Sequence, residues 1–311
     1  MDWYWWVLIF LALIAIYLVN IGYLVAKMLF HPKRMTLSET RKRELEKSPE
    51  ILKATKDWRF SMYQIESRHK YPLQLYFLPA EIPTKRYIVI AHGYTYTSHG
   101  GWKYATFMRN YGFNVILYDE RYHGASGGKN CTMGYYEKDD LYDIISDTYK
   151  RFGNDIYLGT YGESMGGAIV LMEQSGDDRV KFVVADCPFA DLSLLLKYLI
   201  RNKVHLPMYP VIWIVDFFFR LFTKTSIFRI SPIEEVRKAK VPILFMHGGE
   251  DAFIPPIHSE LLFAACPTGK DLFIAGSHSR HTDACRNETD KYKKTLRNFM
   301  VNIVHADIDG R

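Results

Sequence analysis

Residues 156–168 read IYLGTYGESMGGA, and their reading decides the fold. The run 156–160 is rich in β-formers, 168–173 (AIVLME) suits a helix, and the change falls at Ser164. Gly162 and Gly166 flank that serine in the pattern G-x-S-x-G. A strand that breaks this sharply into a helix brings two backbones together and leaves no room for a Cβ. The turn lifts the serine hydroxyl to the edge of a sheet, and the helix that starts beside it leaves the Met165 N–H aimed at whatever the hydroxyl attacks. By itself the pattern is weak, since a chain of this size contains it by chance roughly one time in ten at ordinary Gly and Ser usage. Its strand-to-helix context gives it weight.

Short apolar runs surround this element at 87–91, 115–118, 182–185, 243–246 and 272–274, alternating with helical patterns and preceded by a hairpin at 63–68 and 73–78. Such alternation predicts an α/β fold, with a mostly parallel central sheet of about eight strands flanked by helices and its active site at the carboxyl ends of the strands.

Three of those strand ends carry useful groups. After 87–91 comes His92-Gly93-Tyr94-Thr95, where the glycine lets the chain fold over the serine and present the N–H of Tyr94. With the Met165 N–H this makes a two-donor oxyanion hole, and losing one such donor typically costs about 2.7–4 kcal/mol of transition-state stabilisation. After 243–246 comes His247-Gly248-Gly249-Glu250-Asp251, which sets Asp251 at the tip of a glycine-loosened loop, where a carboxylate can reach a histidine ring. Glu250 and Asp186, the latter also at a strand end, compete for that role. After 272–274 comes Ala275-Gly276-Ser277-His278-Ser279-Arg280-His281. His278 follows the small-residue turn directly and is favoured as the base over His281, which is expected to start the next helix. The pair also has a spacing that can bind metal on a helix, but no third and fourth ligands accompany it, and no metal or other cofactor is expected.

The order Ser164, Asp251, His278, each after a strand, is the order expected of an α/β-hydrolase. Residues 60–305 resemble that superfamily in its serine esterase type, and the fragments HGYT, YDERYHGASGG, YEKDD, GESMGG, ADCPF and HGGEDAFIP resemble its bacterial membrane-anchored members. The resemblance implies Ser164 as nucleophile, His278 as base, Asp251 as orienting acid, and the backbone N–H groups of Tyr94 and Met165 as oxyanion donors. The expected reaction is hydrolysis of carboxylic esters through an acyl-enzyme. A thioesterase, lipase or short-peptide hydrolase on the same triad is the near alternative, and a non-catalytic membrane-tethered binding module the distant one.

Residues 3–26 are almost wholly apolar. As a helix they reach about 36 Å at ~1.5 Å per residue, enough to cross a hydrocarbon core of ~30 Å. Asp2 replaces the basic start of a signal peptide, so an uncleaved anchor is expected. Lys27, Lys33, Arg34, Arg41, Lys42 and Arg43 follow it and nothing basic precedes it, which predicts a single-pass cell-membrane protein with its body in the cytoplasm. The four cysteines show no C-x-x-C spacing and fit free thiols in a reducing compartment. The net charge of +6 gathers near the amino terminus and reads as membrane-related, with no nucleic-acid signature beside it.

The expected organisation is an anchor at 1–30, a charged helical linker at 31–59, a hydrolase core at 60–190 and 236–311, and a helical cap at 191–235. In the linker, Thr36-Leu-Ser-Glu39 reads as a capping box and Ser48-Pro49-Glu50 as a second helix start. Residues 211–222 (VIWIVDFFFRLF) are too short and too charged to span a bilayer, so they are read as cap packing, with contact to the lipid interface and its acyl chains as the second reading. Asp119 to Gly124 is expected to form a turn and salt-bridge corner beneath the site. Gly124 to Lys129 (GASGGK) has a phosphate-loop look without the spacing of G-x-x-x-x-G-K-[ST]. The partners expected are a small acyl substrate and membrane lipid.

Overall fold

The computed structural model describes residues 2–276 and 278–305; Met1, Ser277 and the end of the expected core segment lie outside the described residues. Its strands are β1 (Ser61–Glu66), β2 (Pro72–Leu78), β3 (Arg86–Ala91), β4 (Asn114–Tyr118), β5 (Tyr157–Glu163), β6 (Val180–Asp186), β7 (Ile243–Gly248) and β8 (Lys270–Ala275). They form one eight-stranded sheet in the order β1-β2-β4-β3-β5-β6-β7-β8. β2 pairs antiparallel with β1 and β4, and all later pairings are parallel. This is the mostly parallel sheet expected from the strand runs, in the α/β-hydrolase fold that the resemblance implies. The strands alternate between two apolar layers: Val89, Ala91 and Ile116 pack on one face, Ile88, Ile90 and Val115 on the other.

The helices are α1 (Trp3–Phe30), α2 (Leu37–Lys47), α3 (Pro49–Thr55), α4 (Trp102–Asn110), α5 (Glu137–Phe152), α6 (Met165–Glu173), α7 (Leu192–Leu199), α8 (Met208–Thr223), α9 (Pro232–Val236), α10 (Ile257–Ala265), α11 (Ala284–Asn287) and α12 (Thr289–Asn298). α1 is long and apolar enough to cross a membrane. Its last turns rest on the domain: Gly22 admits the Ile214 side chain, Tyr23 meets Phe218 ring to ring at 5.2 Å, and Phe30 stacks on Phe222 at 4.6 Å. The capping box at the start of α2 is formed as expected. Ser48 makes no side-chain cap for α3 and instead accepts a hydrogen bond from Arg286 Nε at 2.8 Å, while the same arginine pairs with buried Glu44 at 2.5 Å.

Helices α7, α8 and α9 fill the segment between β6 and β7. α8 buries Val211, Ile212, Val215 and Phe219 in the apolar cluster that also holds Met165. Asp216 turns inward and accepts hydrogen bonds from Ser226 Oγ, Ile227 N and Arg220 Nε. Trp213, Phe217 and Leu221, four residues apart, form an exposed apolar strip on the opposite side.

Candidate active site

Ser164 sits between β5 and α6 at φ 57° and ψ −114°, a region an L-residue adopts only when its surroundings force it. The neighbouring glycines explain how the turn closes. A methyl at Gly162 would overlap the Gly166 carbonyl, and one at Gly166 would overlap the carbonyl of Ala91. The Ser164 N–H donates to the Asp186 carbonyl at 2.8 Å, which ties the turn to β6. Met165 opens α6 immediately after the serine. Gly93 faces Ser164 from the end of β3, with space for a Cβ only 3.4 Å from the serine Cβ.

The imidazole beside Ser164 belongs to His281. Its Nε2 lies 2.9 Å from Ser164 Oγ, and its Nδ1 lies 2.5 Å from Asp251 Oδ2. Since the carboxylate can only accept, Nδ1 carries the proton and Nε2 is left to accept from the serine hydroxyl. The expectation of His278 is therefore corrected. His278 is exposed at φ 76°, and its carbonyl accepts from Asn287 Nδ2 at 2.6 Å. The cause is how the loop after β8 docks. Glu250 N–H donates to the Ser279 carbonyl at 3.0 Å, and the Arg280 carbonyl closes on Gly248, where no Cβ intervenes. That docking buries Ser279 and turns the chain so that His281 faces the serine. His281 does not start a helix, contrary to expectation.

Asp251, the carboxylate paired with His281, has surroundings more elaborate than the sequence indicates. Oδ1 accepts from the N–H groups of Phe253 and Ile254 at 2.8 and 2.9 Å. Oδ2 faces a second histidine, His247 Nε2, at 3.4 Å, whose N–H donates to the Ile254 carbonyl at 2.7 Å. Burial alone would raise this carboxyl, but the hydrogen bonds and charges of His247 and His281 outweigh it and hold Asp251 well below the usual carboxylate range. In the sequence His247 carries no separate signal, since it reads as the start of the HGGED turn. Asp186 and Glu250 do not compete: Asp186 accepts from Tyr104 Oη at 2.9 Å and Tyr292 Oη at 2.7 Å, and Glu250 is met through its backbone.

Two neutral histidines hold the loop that carries Tyr94. Glu120 N–H donates to His92 Nε2 at 2.9 Å, and Thr95 N–H donates to His123 Nε2 at 3.2 Å. Each ring therefore keeps its proton on Nδ1, donating to the carbonyls of Gly93 and Arg121 at 2.8 and 2.9 Å. Burial pushes His92 below its ordinary value and brings His123 down to about 3. The corner at Asp119 is closed by hydrogen bonds, from Ser98 N–H at 2.8 Å and Ala125 N–H at 2.9 Å. α1 and the segment after it reach the same loop: Tyr94 Oη donates to the Met28 carbonyl of α1, and Met35 N–H, beyond the helix, donates to the Thr95 carbonyl at 2.9 Å.

Behind the serine, Glu163 forms a buried ion pair with Lys103 and accepts from Tyr104 Oη at 2.6 Å. Burial works against the Glu163 carboxylate, but the Lys103 ammonium and these hydrogen bonds hold it below its ordinary value. Cys187, Asp251 and His281 bring a thiol, a carboxylate and an imidazole within 4.8 Å of one another. A cation there would take the imidazole and carboxylate from the bonds just described. All four cysteines are free and buried.

Residues 82–209 match the family model described as serine aminopeptidase, S33. A protein of Bacillus subtilis (strain 168), the uncharacterised YqkD, is 31% identical over 92% of this chain and 93% of its own length. An uncharacterised membrane protein of Saccharomyces cerevisiae is 25% identical over 63% of each chain. Among solved structures, an esterase of Pyrococcus furiosus superposes with a TM-score of 0.63 at 20% identity, covering 80% of this chain and 94% of that one.

Proposed function

Since the chain belongs to the α/β-hydrolase superfamily, we propose that it is a serine hydrolase that cleaves carboxylic esters through an acyl-enzyme on Ser164. One observation carries the reading: hydroxyl, imidazole and carboxylate stand in a single hydrogen-bonded line from Ser164 through His281 to Asp251. Ser164 Oγ attacks the acyl carbonyl as His281 Nε2 takes its proton. The N–H groups of Tyr94 and Met165 hold the oxyanion, a role supported by the approach of Gly93 to the serine and by the start of α6. The leaving alcohol departs with the proton from His281. Water then enters, His281 takes its proton in turn, and the acid is released with the serine hydroxyl restored. Asp251 keeps the ring in the required tautomer throughout and stabilises the imidazolium.

A fluorophosphonate probe tests the nucleophile: labelling of the full chain should vanish in Ser164→Ala, and a variant that still labels refutes the assignment. The match to a serine aminopeptidase family favours a second substrate class, amides of short peptides. p-Nitrophenyl esters assayed beside aminoacyl amides separate the two, and a kcat/KM higher on the amides decides for the second.

α1 is the proposed single-pass anchor in the cell membrane, with the basic residues after it keeping the domain in the cytoplasm. The exposed strip of Trp213, Phe217 and Leu221, on a helix packed against α1, supports lipid contact at the same surface. Protease treatment of intact spheroplasts from outside should spare the domain, and its digestion would reverse the orientation.

A further inference from the structure

Arg121 is a buried cation whose donors are largely unmet. It is 7% exposed, and neither Nε nor Nη1 has a hydrogen-bond partner. Nη2 reaches Asn130 Oδ1 at 3.3 Å. Tyr71 and Tyr136 flank the guanidinium at 5.0 and 4.9 Å, contacts that orient the plane but satisfy no N–H. Removing such a group from water is costly unless an anion or acceptors replace the water. The carboxylate that could serve is engaged elsewhere: Asp140 accepts from Ser67 Oγ at 2.5 Å and from Tyr71 Oη at 2.6 Å. Burial pushes its carboxyl up to about 7, against the lowering effect of those hydroxyls and of the nearby Arg121 charge, and no hydrogen bond joins it to the guanidinium.

Arg121 faces a cleft of about 420 Å³ whose wall also includes Lys129, Asn130, Phe222 and Lys224. Lys129 and Lys224 are exposed. His69 and Lys70 on the rim are already paired, with Asp139 at 3.0 Å and Glu66 at 2.9 Å. Among the described residues lining the cleft there is no carboxylate. Gly128 and Lys129 come from the GASGGK segment, which lacks the nucleotide-loop spacing yet brings its backbone and its lysine to this wall. Ser164 and His281 do not line it.

The cleft lies where α1 ends. His31 Nε2–H donates to the Lys129 carbonyl at 3.1 Å, Asn130 Nδ2 donates to the Phe222 carbonyl at 2.8 Å, and the Phe222 ring is the one stacked on Phe30. We propose that this cleft binds a phosphate group, with the Arg121 guanidinium as the buried cation of its wall and Lys129 and Lys224 supplying charge at the rim. A guanidinium fork matches two oxygens of a tetrahedral phosphate, and three cations without a lining carboxylate suit a phosphate ester. The shared chemistry is found in a phospholipid headgroup, which the end of a spanning α1 would meet, and in a soluble phosphate.

The test is calorimetric titration of the full chain in neutral detergent and phosphate-free buffer, with inorganic phosphate and with dihexanoylphosphatidylglycerol. All measurements use a Ser164→Ala background, so the result does not depend on the proposed hydrolysis. Phosphate should bind saturably, with Arg121→Gln weakening it at least tenfold and Lys129→Ala/Lys224→Ala at least threefold. Lipid that binds with the same Arg121 dependence and displaces phosphate assigns a headgroup site. Phosphate that binds without competition from the lipid assigns a soluble ligand. Affinity for both probes indifferent to Arg121 overturns the proposal. Should Arg121→Gln fail to fold, an unchanged affinity in the double lysine variant overturns it equally.

Discussion

Asp251 is the residue on which the site turns, because its two oxygens do different work. Oδ1 is fixed by backbone donors of its own loop, whereas Oδ2 is left for two imidazoles. With the carboxyl held below its usual range, it stays charged and His281 keeps its proton on Nδ1. His281→Ala is expected to reduce kcat for ester hydrolysis by at least 10³-fold, in line with the loss of a general base. His278→Ala should stay within about threefold of the parent, since general base work of the ~10²–10⁴-fold kind needs contact with the reacting proton. Steady-state kinetics on one p-nitrophenyl ester compares the two, and a larger loss at His278 would reverse the histidine assignment.

At the scale of elements, the break between β5 and α6 is held from behind by charge. Glu163 ends β5, Lys103 lies in the first turn of α4, and both are buried. Lys103→Met would leave an uncompensated carboxylate directly before Ser164, a change expected to cost about 3–5 kcal/mol. Adding Glu163→Gln should restore much of it, because the charge without a partner is then gone. Urea denaturation of the two variants measures the difference; a single variant as stable as the double would show that the pair does not brace the turn. The expectation of a strand followed by a helix was legible here from β-branched and small residues, while the Lys103–Glu163 pair was not, since the two residues lie far apart in the chain and carry no periodic signal.

Across the whole molecule, buried neutral histidines link the site to pH. Burial brings His123 down to about 3 and His258 to about 4. An unfolded chain protonates these rings near pH 6.5, so below that value the unfolded state binds more protons than the native one. The stabilising contribution of each ring is complete above about pH 6.5 and declines as pH falls toward the depressed native value. For His123 the decline between pH 7.5 and 5 amounts to about 2 kcal/mol. Asp140, whose carboxyl is pushed up to about 7, works in the opposite direction over the same range, so the informative quantity is a difference between variants. The destabilisation caused by His123→Gln should be smaller at pH 5 than at pH 7.5 by roughly that amount. Chemical denaturation at both pH values checks this, and an equal effect at both would mean that His123 is not held neutral.

The sequence by itself determined the order of strands and helices, the glycine-bracketed serine, the carboxylate after β7 and the apolar amino-terminal helix. Each is written in local pattern: periodicity, turn chemistry, or a run without charge. Only the tertiary structure decided which of two histidines meets Ser164, that Asp251 has a second imidazole, and that α1 ends against the loop carrying Tyr94. His278 and His281 share an irregular loop without a repeating geometry, and its path is set by the backbone contacts of Ser279 and Arg280 with Glu250 and Gly248, partners some thirty residues away. No local pattern encodes where such a loop comes to rest, because the contacts that orient it exist only after the sheet has brought β7 and β8 side by side.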